Sequence, residues 1–276
     1  MSEVLRLVRA TNLLIAAGGV LAGGWIALGA VALPTLLVFA ALSGFALGAA
    51  GNAWNDLCDA AADRVNRPAP SGQRPLVTGR LGRGTAELAV FLGALGGVAA
   101  AALVSGRQVI VALGALAVML AYSPLIKPRP AAGNLAVALV AGLPPFYGAL
   151  AVGRPAAGLV PWALAAWIHL AREIVKDLED EAGDRAIGRR TLPVALGRRP
   201  AQVLTAGIAA LFVPASLVLP YVAGYGGAYY LIALVAQLAV LLGATWLILG
   251  RVERVSTLFK IAMVVGLVAL VTGKVA

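Results

Sequence analysis

Long apolar segments alternate along the whole chain with short stretches rich in glycine, proline and basic residues. An α-helix needs about 20 apolar residues to cross a bilayer, and the short stretches recur at about that interval. The pattern predicts nine helices, over residues 11–30, 33–63, 83–105, 108–126, 132–152, 158–182, 199–219, 225–249 and 253–273. The second and sixth run longer than their apolar parts, so each is expected to end in polar turns at the membrane surface.

The composition agrees with a membrane location. Of the 276 residues, 61% are hydrophobic, against roughly 45–50% in soluble globular domains, and the mean hydropathy is +0.92. The predicted fold class is all-α: a polytopic membrane protein with a single domain over residues 1–276. The N-terminal stretch MSEVLRLVRATN has no short apolar region followed by a small-residue cleavage site, which indicates a retained first span rather than a signal peptide.

The net charge of +10 by itself would be compatible with a nucleic-acid partner, but in a membrane chain the distribution of basic residues matters more. Sixteen Lys and Arg residues fall at one end of the predicted bundle, and Arg107, Arg154 and Lys274 fall at the other. By the positive-inside rule the basic end is expected to face the cytoplasm. We therefore predict no nucleic-acid partner.

Two clusters of aspartates share one spacing. They are Asp56, Asp59 and Asp63, and Asp177, Asp180 and Asp184. On an α-helix the spacing i, i+3, i+7 places three side chains on one face within two turns. Each cluster ends a predicted long helix and precedes a basic loop, within motif regions 52–80 and 172–190. Half of the twelve acidic residues lie in these clusters, so chance is a poor explanation.

Carboxylates this close repel one another, and a bound cation usually stabilises such an arrangement. Ligands that are all oxygen favour a hard ion, so Mg²⁺ is the expected cofactor. The single cysteine, Cys58, excludes an intramolecular disulfide and a cysteine-based metal site. The presence of a single histidine, His169, argues against haem or zinc held by histidine, and we expect structural roles for Cys58 and His169.

Basic side chains surround the two clusters. The loops after the second and sixth helices contain Pro and Gly and are expected to cap the site. Five basic residues near the clusters either bind substrate or only set topology: Arg67, Arg74, Lys127, Arg189 and Arg190. Arg172 and Glu173 lie inside a predicted span, so they face a polar cavity or form a local ion pair, and Lys176 also lies within this helix. Lys260 is expected to extend to the membrane interface.

Metal-binding carboxylates rimmed by cations are suited to a diphosphate, and an apolar helical bundle would contain an isoprenoid tail attached to it. In these motifs the sequence resembles the UbiA superfamily of intramembrane prenyltransferases, which have nine transmembrane helices and two aspartate-rich motifs. Asn55 and the first three aspartates match the first motif, and the other three match the second. Further matches are Tyr122, Ser123 and Lys127, Gly133 with Asn134, and Asn12 in a segment that lacks the usual Pro.

The resemblance implies a Mg²⁺-dependent enzyme that uses a polyprenyl diphosphate donor. The implied substrate-binding residues are Asn12, Arg67, Arg74, Tyr122, Ser123, Lys127, Asn134, Arg172, Lys176, Arg189 and Arg190. The stretch from Arg172 to Asp184 most resembles the branch of digeranylgeranylglyceryl phosphate synthases, which make archaeal-type ether lipids. The implied acceptor is geranylgeranylglyceryl phosphate, and the implied donor group is geranylgeranyl. Membrane lipids are the remaining expected partner.

Three alternatives remain open from the residues. In the first, the chain is a prenyltransferase whose acceptor is an aromatic compound such as 4-hydroxybenzoate, a quinone precursor or a tetrapyrrole. In the second, the chain is a secondary transporter, although transporter sites tend to lie near the bilayer midplane rather than at helix ends. In the third, it is a structural membrane protein whose aspartates pair with loop arginines, a hypothesis that leaves the repeated spacing unexplained.

Overall fold

The computed structural model describes residues 3–66 and 74–275, which form helices and connecting turns without a strand. The helices of these residues are α1 (Glu3–Leu7), α2 (Ala10–Leu28), α3 (Thr35–Asn66), α4 (Arg83–Ala102), α5 (Gly106–Ala121), α6 (Ala132–Ala141), α7 (Pro144–Ala151), α8 (Leu159–Ala186), α9 (Leu192–Leu196), α10 (Arg198–Val222), α11 (Gly227–Ile248) and α12 (Val255–Val275). A π-helical turn, Tyr122–Ile126, follows α5, and a 3₁₀ turn, Pro155–Gly158, precedes α8.

The predicted helical membrane bundle is confirmed. Within the described part of the chain, eight helical segments are long and apolar enough to cross a bilayer, with α6 and α7 together counted as one. The remaining long helix is α8, which spans 28 residues and carries the charged second motif in its C-terminal half. Leucine, valine and isoleucine side chains are exposed on the outer faces of the bundle, as expected for surfaces that contact lipid.

The predicted helix over residues 132–152 is interrupted. It divides into α6 and α7 at Gly142 and Leu143, with Pro144 as the first residue of α7. Proline has no backbone N–H and its ring crowds the preceding turn, which favours a break before Pro144 and Pro145. The short helices α1 and α9 were not predicted, because five residues are too few to show a helical period.

The predicted helix over residues 108–126 also changes form near its end. Its last turn is π-helical, with a 2.7 Å hydrogen bond from the Lys127 amide to the Tyr122 carbonyl. A wider turn of this kind shifts the following side chains around the helix axis, and such turns are frequent at functional sites. Here the turn directs Ser123 and Lys127 towards α3.

Small residues allow the central helices to approach closely. At Gly148 of α7, an added Cβ would overlap the backbone carbonyl of Val20 in α2, and at Gly23 of α2 it would overlap that of Pro145. Helices in a bilayer gain little from hydrophobic burial against one another, so close van der Waals contact at small residues stabilises their association. The α2–α7 crossing therefore depends on these glycines.

We expect Gly148→Ala to destabilise the protein by about 1–3 kcal/mol, because the added methyl group has no space between α7 and α2. The matched control is Gly114→Ala in α5, where nothing lies within 4 Å of the added Cβ. Thermal unfolding of the two variants in detergent measures the difference. Equal melting temperatures would contradict the packing explanation.

Candidate active site between the two aspartate helices

One side chain joins the ends of the two helices that carry the aspartates. Asn66, the last residue of α3, donates to the Asp180 carbonyl (3.1 Å) and accepts from the Gly183 amide (2.7 Å). Gly183 has no room for a Cβ, which would overlap the Asn66 side chain and the Ala62 carbonyl. The close approach of α3 and α8 therefore requires glycine here, and it brings the two motifs together.

The carboxylates of the first motif are buried and paired with arginines. Asp56 is 2% exposed, and its Oδ1 accepts from Arg9 (2.6 Å) and Arg74 (2.7 Å). Arg74 also lies 3.4 Å from Oδ2 of Asp63. Arg9 reaches this position because it adopts a left-handed backbone conformation (φ 56°) that separates α1 from α2. A strained non-glycine residue at such a place is typical of functional sites.

Asp59 connects the first motif with the second. It forms ion pairs with Lys127 (2.9 Å) and with the buried Arg189 (2.7 Å), and Arg189 lies 3.5 Å from Asp184. Burial by itself lowers the pKa of Lys127 and of Arg189, but the Asp59 carboxylate more than offsets this, so both pKa values lie above their usual range. Both cations therefore remain charged at neutral pH.

Two polar residues position members of the motifs without lining the cavity below. Asn134 donates to Asp177 (2.6 Å), and Ser123 donates to Asn55 (3.1 Å). Asn134 lies at the start of α6, while Ser123 belongs to the π-helical turn after α5. Helix α6 and the π-helical turn therefore position Asp177 and Asn55 from outside the cavity.

Asp56, Asp59, Asp63 and Asp184 contact basic side chains. Within residues 3–66 and 74–275, no three acidic, histidine or cysteine side chains converge closely enough to enclose a metal ion. Two carboxylate oxygens, Oδ2 of Asp56 and Oδ2 of Asp184, are nevertheless buried and have no hydrogen-bond partner. A buried carboxylate oxygen without a partner is energetically unfavourable, so both atoms are suited to a ligand.

A cavity of about 420 Å³ opens beside the two motifs. Polar groups from both motifs line one end: Asn55, Asp59, Asp63, Asp177 and Asp180. Tyr122, Arg74 and Lys127 also line it. Away from the aspartates the wall is apolar and includes Val140, Leu143, Ile168, Phe212, Met263 and Leu270. The cavity can thus hold a charged head group and a hydrocarbon chain in one molecule.

A second polar region lines the same cavity. Glu173 pairs with Lys176 (2.9 Å) and Arg172 (3.4 Å) on α8, and Lys260 of α12 donates to Asn12 of α2 (2.6 Å). The prediction that Lys260 extends to the membrane interface is wrong, because its hydrogen bond to Asn12 turns it towards the cavity.

Six predicted site residues do not line the cavity: Asp56, Ser123, Asn134, Asp184, Arg189 and Arg190, the last of which is exposed in the segment after α8. Arg67 lies outside the described residues. The cavity-lining residues that were not predicted as site residues include Arg9, Lys260 and His169. Nδ1 of His169 is buried without a hydrogen-bond partner. The available signal was that Lys260 and His169 are polar residues in otherwise apolar segments.

Two aspartate-bearing helices that open onto one apolar cavity within a membrane bundle define a class of intramembrane enzyme acting on a lipid-like substrate with an anionic head group. A model of the UbiA prenyltransferase family matches residues 16–270. The digeranylgeranylglyceryl phosphate synthase of Thermococcus gammatolerans is 42% identical over 229 residues, which cover 82% of this chain and 80% of that protein. The chain therefore belongs to the UbiA prenyltransferase family.

Solved structures share the fold. The apo structure of a UbiA homologue from Aeropyrum pernix K1 matches with a TM-score of 0.82 at 21% identity, over 96% of this chain and 98% of that one. A UbiA homologue from Archaeoglobus fulgidus bound to GPP and Mg²⁺ matches with a TM-score of 0.71 at 19% identity, over 99% of each chain. Family membership favours a prenyltransferase over the transporter and the structural protein, although the aspartates do pair with arginines.

We expect Gly183→Ala to lower turnover by roughly tenfold to a hundredfold, because separating α3 from α8 moves the two motifs out of register. The control is Ala182→Ser, a small change at the neighbouring exposed position of α8. Prenyl transfer by the two purified variants, compared at equal amounts of folded protein, measures the effect. Full activity in Gly183→Ala would show that the spacing of the motifs is not critical.

Proposed function

We propose that this protein is a digeranylgeranylglyceryl phosphate synthase. It transfers a geranylgeranyl group from its diphosphate to the sn-2 hydroxyl of geranylgeranylglyceryl phosphate. The observation that carries the proposal is the pairing of two aspartate motifs at the head of an apolar cavity, in a chain 42% identical to a synthase of that name. The family match over residues 16–270 supports treating the chain as one prenyltransferase domain.

The aspartates are suited to hold Mg²⁺ with the donor diphosphate. Their ligand set is all oxygen, which hard divalent ions prefer. Oδ2 of Asp56 and Oδ2 of Asp184 are buried without a hydrogen-bond partner, which a nearby cation would stabilise. The Archaeoglobus fulgidus homologue was solved with GPP and Mg²⁺. Bound metal would bridge the diphosphate oxygens and stabilise their negative charge as the leaving group departs.

The basic side chains that now neutralise the carboxylates would be shared with the diphosphate. Arg74, Lys127 and Arg189 each contact at least one aspartate. When metal charge satisfies the carboxylates, the same N–H groups become free to donate to phosphate oxygens, and such charge-assisted hydrogen bonds are among the strongest in proteins. We infer that these three side chains bind the donor head group.

The cavity orients the prenyl chain and limits access of water to the reacting carbon. The donor tail would lie along the apolar wall formed in part by Leu143, Phe212 and Leu270. The bond between C1 of the donor and the diphosphate oxygen breaks, and an ether bond forms between C1 and the acceptor hydroxyl oxygen. The hydroxyl proton passes to the released diphosphate. Because the cationic carbon is reactive towards water, an apolar wall favours transfer over hydrolysis.

We also propose that the active site faces the cytoplasm. The aspartate ends of α3 and α8 lie at the end of the bundle where the basic loop residues are concentrated, and Arg107, Arg154 and Lys274 lie at the other. The positive-inside rule places the richer end in the cytoplasm. Water-soluble substrate groups and Mg²⁺ would then reach the site from that side.

The acceptor can be tested directly. We expect purified protein with Mg²⁺ and radiolabelled geranylgeranyl diphosphate to label geranylgeranylglyceryl phosphate in preference to 4-hydroxybenzoate and a quinone precursor supplied in parallel, because the cavity has cations beyond those paired with the aspartates. Chromatography of the lipid products measures the preference. Prenylation of an aromatic acceptor with no ether product would instead assign the protein to the aromatic branch.

We expect Asp180→Asn to lower turnover by about 10² or more, because the second motif would lose a charged ligand for the metal that holds the diphosphate. Glu181→Gln is the matched control: Glu181 is the next residue but pairs with Arg185 and Arg198 instead, so its turnover should stay within about twofold of the original. Mg²⁺ with diphosphate should raise the melting temperature of the original protein and not of Asp180→Asn. An unchanged response in Asp180→Asn, or activity that survives EDTA, would refute the metal assignment.

A further inference from the structure

Three basic side chains that contact none of the aspartates in the described structure line the cavity together. Arg172 and Lys176 lie on α8 and Lys260 lies on α12, which packs against both α8 and α2. We call these three residues the cation cluster. Lys176 and Lys260 both lie within electrostatic range of Arg172. Like charges gathered in one cavity repel one another, and among the described residues only Glu173 forms an ion pair with members of the cluster, so a further anion would stabilise the arrangement.

The hydrogen-bonding capacity of the cation cluster is incompletely used. Arg172 has a buried Nε without a partner, and its contact with Glu173 is long, at 3.4 Å. The bond of Lys260 goes to the neutral Oδ1 of Asn12. A guanidinium carries five N–H donors and an ammonium three, so both groups can donate further hydrogen bonds.

The charge of the cluster matches one kind of anion. Arg172 and Lys176 share the single carboxylate of Glu173, and Lys260 donates to a neutral amide oxygen, which leaves two of the three positive charges without a negative partner. A phosphate monoester carries about 1.5 to 2 negative charges at neutral pH and offers three acceptor oxygens. A neutral or purely aromatic acceptor would leave these cations uncompensated.

On α8 the cation cluster begins before the aspartates. Arg172 precedes Asp177, the first aspartate of this helix, by five residues, or about 7.5 Å along the helix axis, and Lys176 directly precedes Asp177. The donor diphosphate belongs at the aspartates, where metal is needed. A second phosphate at the cluster would therefore come from another molecule in the same cavity.

We propose that the cation cluster binds the phosphate of the acceptor. This inference rests on the proposed function and adds to it a separate subsite for the second substrate. In geranylgeranylglyceryl phosphate the reacting hydroxyl is on the carbon next to the phosphate-bearing carbon. With its phosphate held by Arg172, Lys176 and Lys260, that hydroxyl faces the aspartate end of the cavity, where C1 of the donor lies. Asn12 positions Lys260 through its hydrogen bond.

The test compares Lys260→Met, Lys260→Arg and Arg172→Gln with the original protein, using geranylgeranyl diphosphate and two acceptors. One acceptor is geranylgeranylglyceryl phosphate, and the other is geranylgeranylglycerol, which lacks the phosphate. We expect Lys260→Met and Arg172→Gln to raise KM for the phosphorylated acceptor by roughly tenfold or more, because each loses a charge-assisted hydrogen bond. KM for the donor and for geranylgeranylglycerol should remain unchanged, and Lys260→Arg should restore most of the affinity.

The matched control is Arg251→Met, which removes an exposed cation from the segment just before α12. It should leave both KM values unchanged. Stabilisation of each variant by Mg²⁺ and diphosphate verifies that it is folded, and Arg172→Gln provides the test if the Lys260 variants fail to fold.

Each other outcome overturns the inference. A rise in donor KM would assign the cluster to the donor, an equal rise for both acceptors would indicate a packing role, and unchanged kinetics would exclude contact with the acceptor. If the original protein makes no ether product from geranylgeranylglyceryl phosphate, the proposed function itself fails. If it makes that product and the variants keep its KM, only the subsite is wrong.

Discussion

The contact between α3 and α8 at Asn66 and Gly183 is the constraint on which the site depends. Each aspartate motif is ordered by its own helix, but neither can form a shared diphosphate site alone. Asn66 satisfies a carbonyl and an amide of α8 near its end, and glycine at position 183 leaves room for the approach. A larger residue there would separate the helices while leaving both motifs unchanged in sequence.

That approach concentrates negative charge, which the structure neutralises from distant parts of the chain. Arg9 precedes α2, Arg74 follows α3, Lys127 follows the π-helical turn and Arg189 follows α8. Buried carboxylates without such partners would be strongly destabilising. Ion pairs made by segments between helices can exchange partners when a charged ligand arrives, because these segments move more easily than the spans. Stability without ligand and binding of a diphosphate therefore use the same cations.

One cavity has two polar regions that differ in charge. Asp59, Asp63, Asp177 and Asp180 line the end near the basic loops, where Arg74 and Lys127 balance them, while Arg172, Lys176 and Lys260 line another part of the cavity. Two polar regions of different charge would give each anionic substrate its own place. The donor diphosphate, which requires metal, would bind at the aspartates, and the phosphorylated acceptor, which does not, would bind at the cation cluster. Separation of the head groups within a common apolar cavity would bring the reacting atoms together with little competition from water.

Much of this protein was determined by sequence features that act locally. The apolar segments predict the spans because transfer into a bilayer depends on composition, and the spacing i, i+3, i+7 predicts which aspartates share a face because helical geometry is regular. The break before Pro144 could have been expected from the same local chemistry. The charged residues of α8 were identified as facing either a cavity or a local ion pair, and the structure has both.

Only the tertiary structure decided which distant groups meet. Asn12 and Lys260 are 248 residues apart and Arg9 and Asp56 are 47 apart, so their pairing depends on the order in which the helices pack. A lysine near the end of an apolar helix can extend to the interface or turn inward, and the local sequence is the same in both cases. The neighbouring helix decides between these conformations: for Lys260, α2 provides the side-chain oxygen Oδ1 of Asn12, which accepts its hydrogen bond beside the cavity.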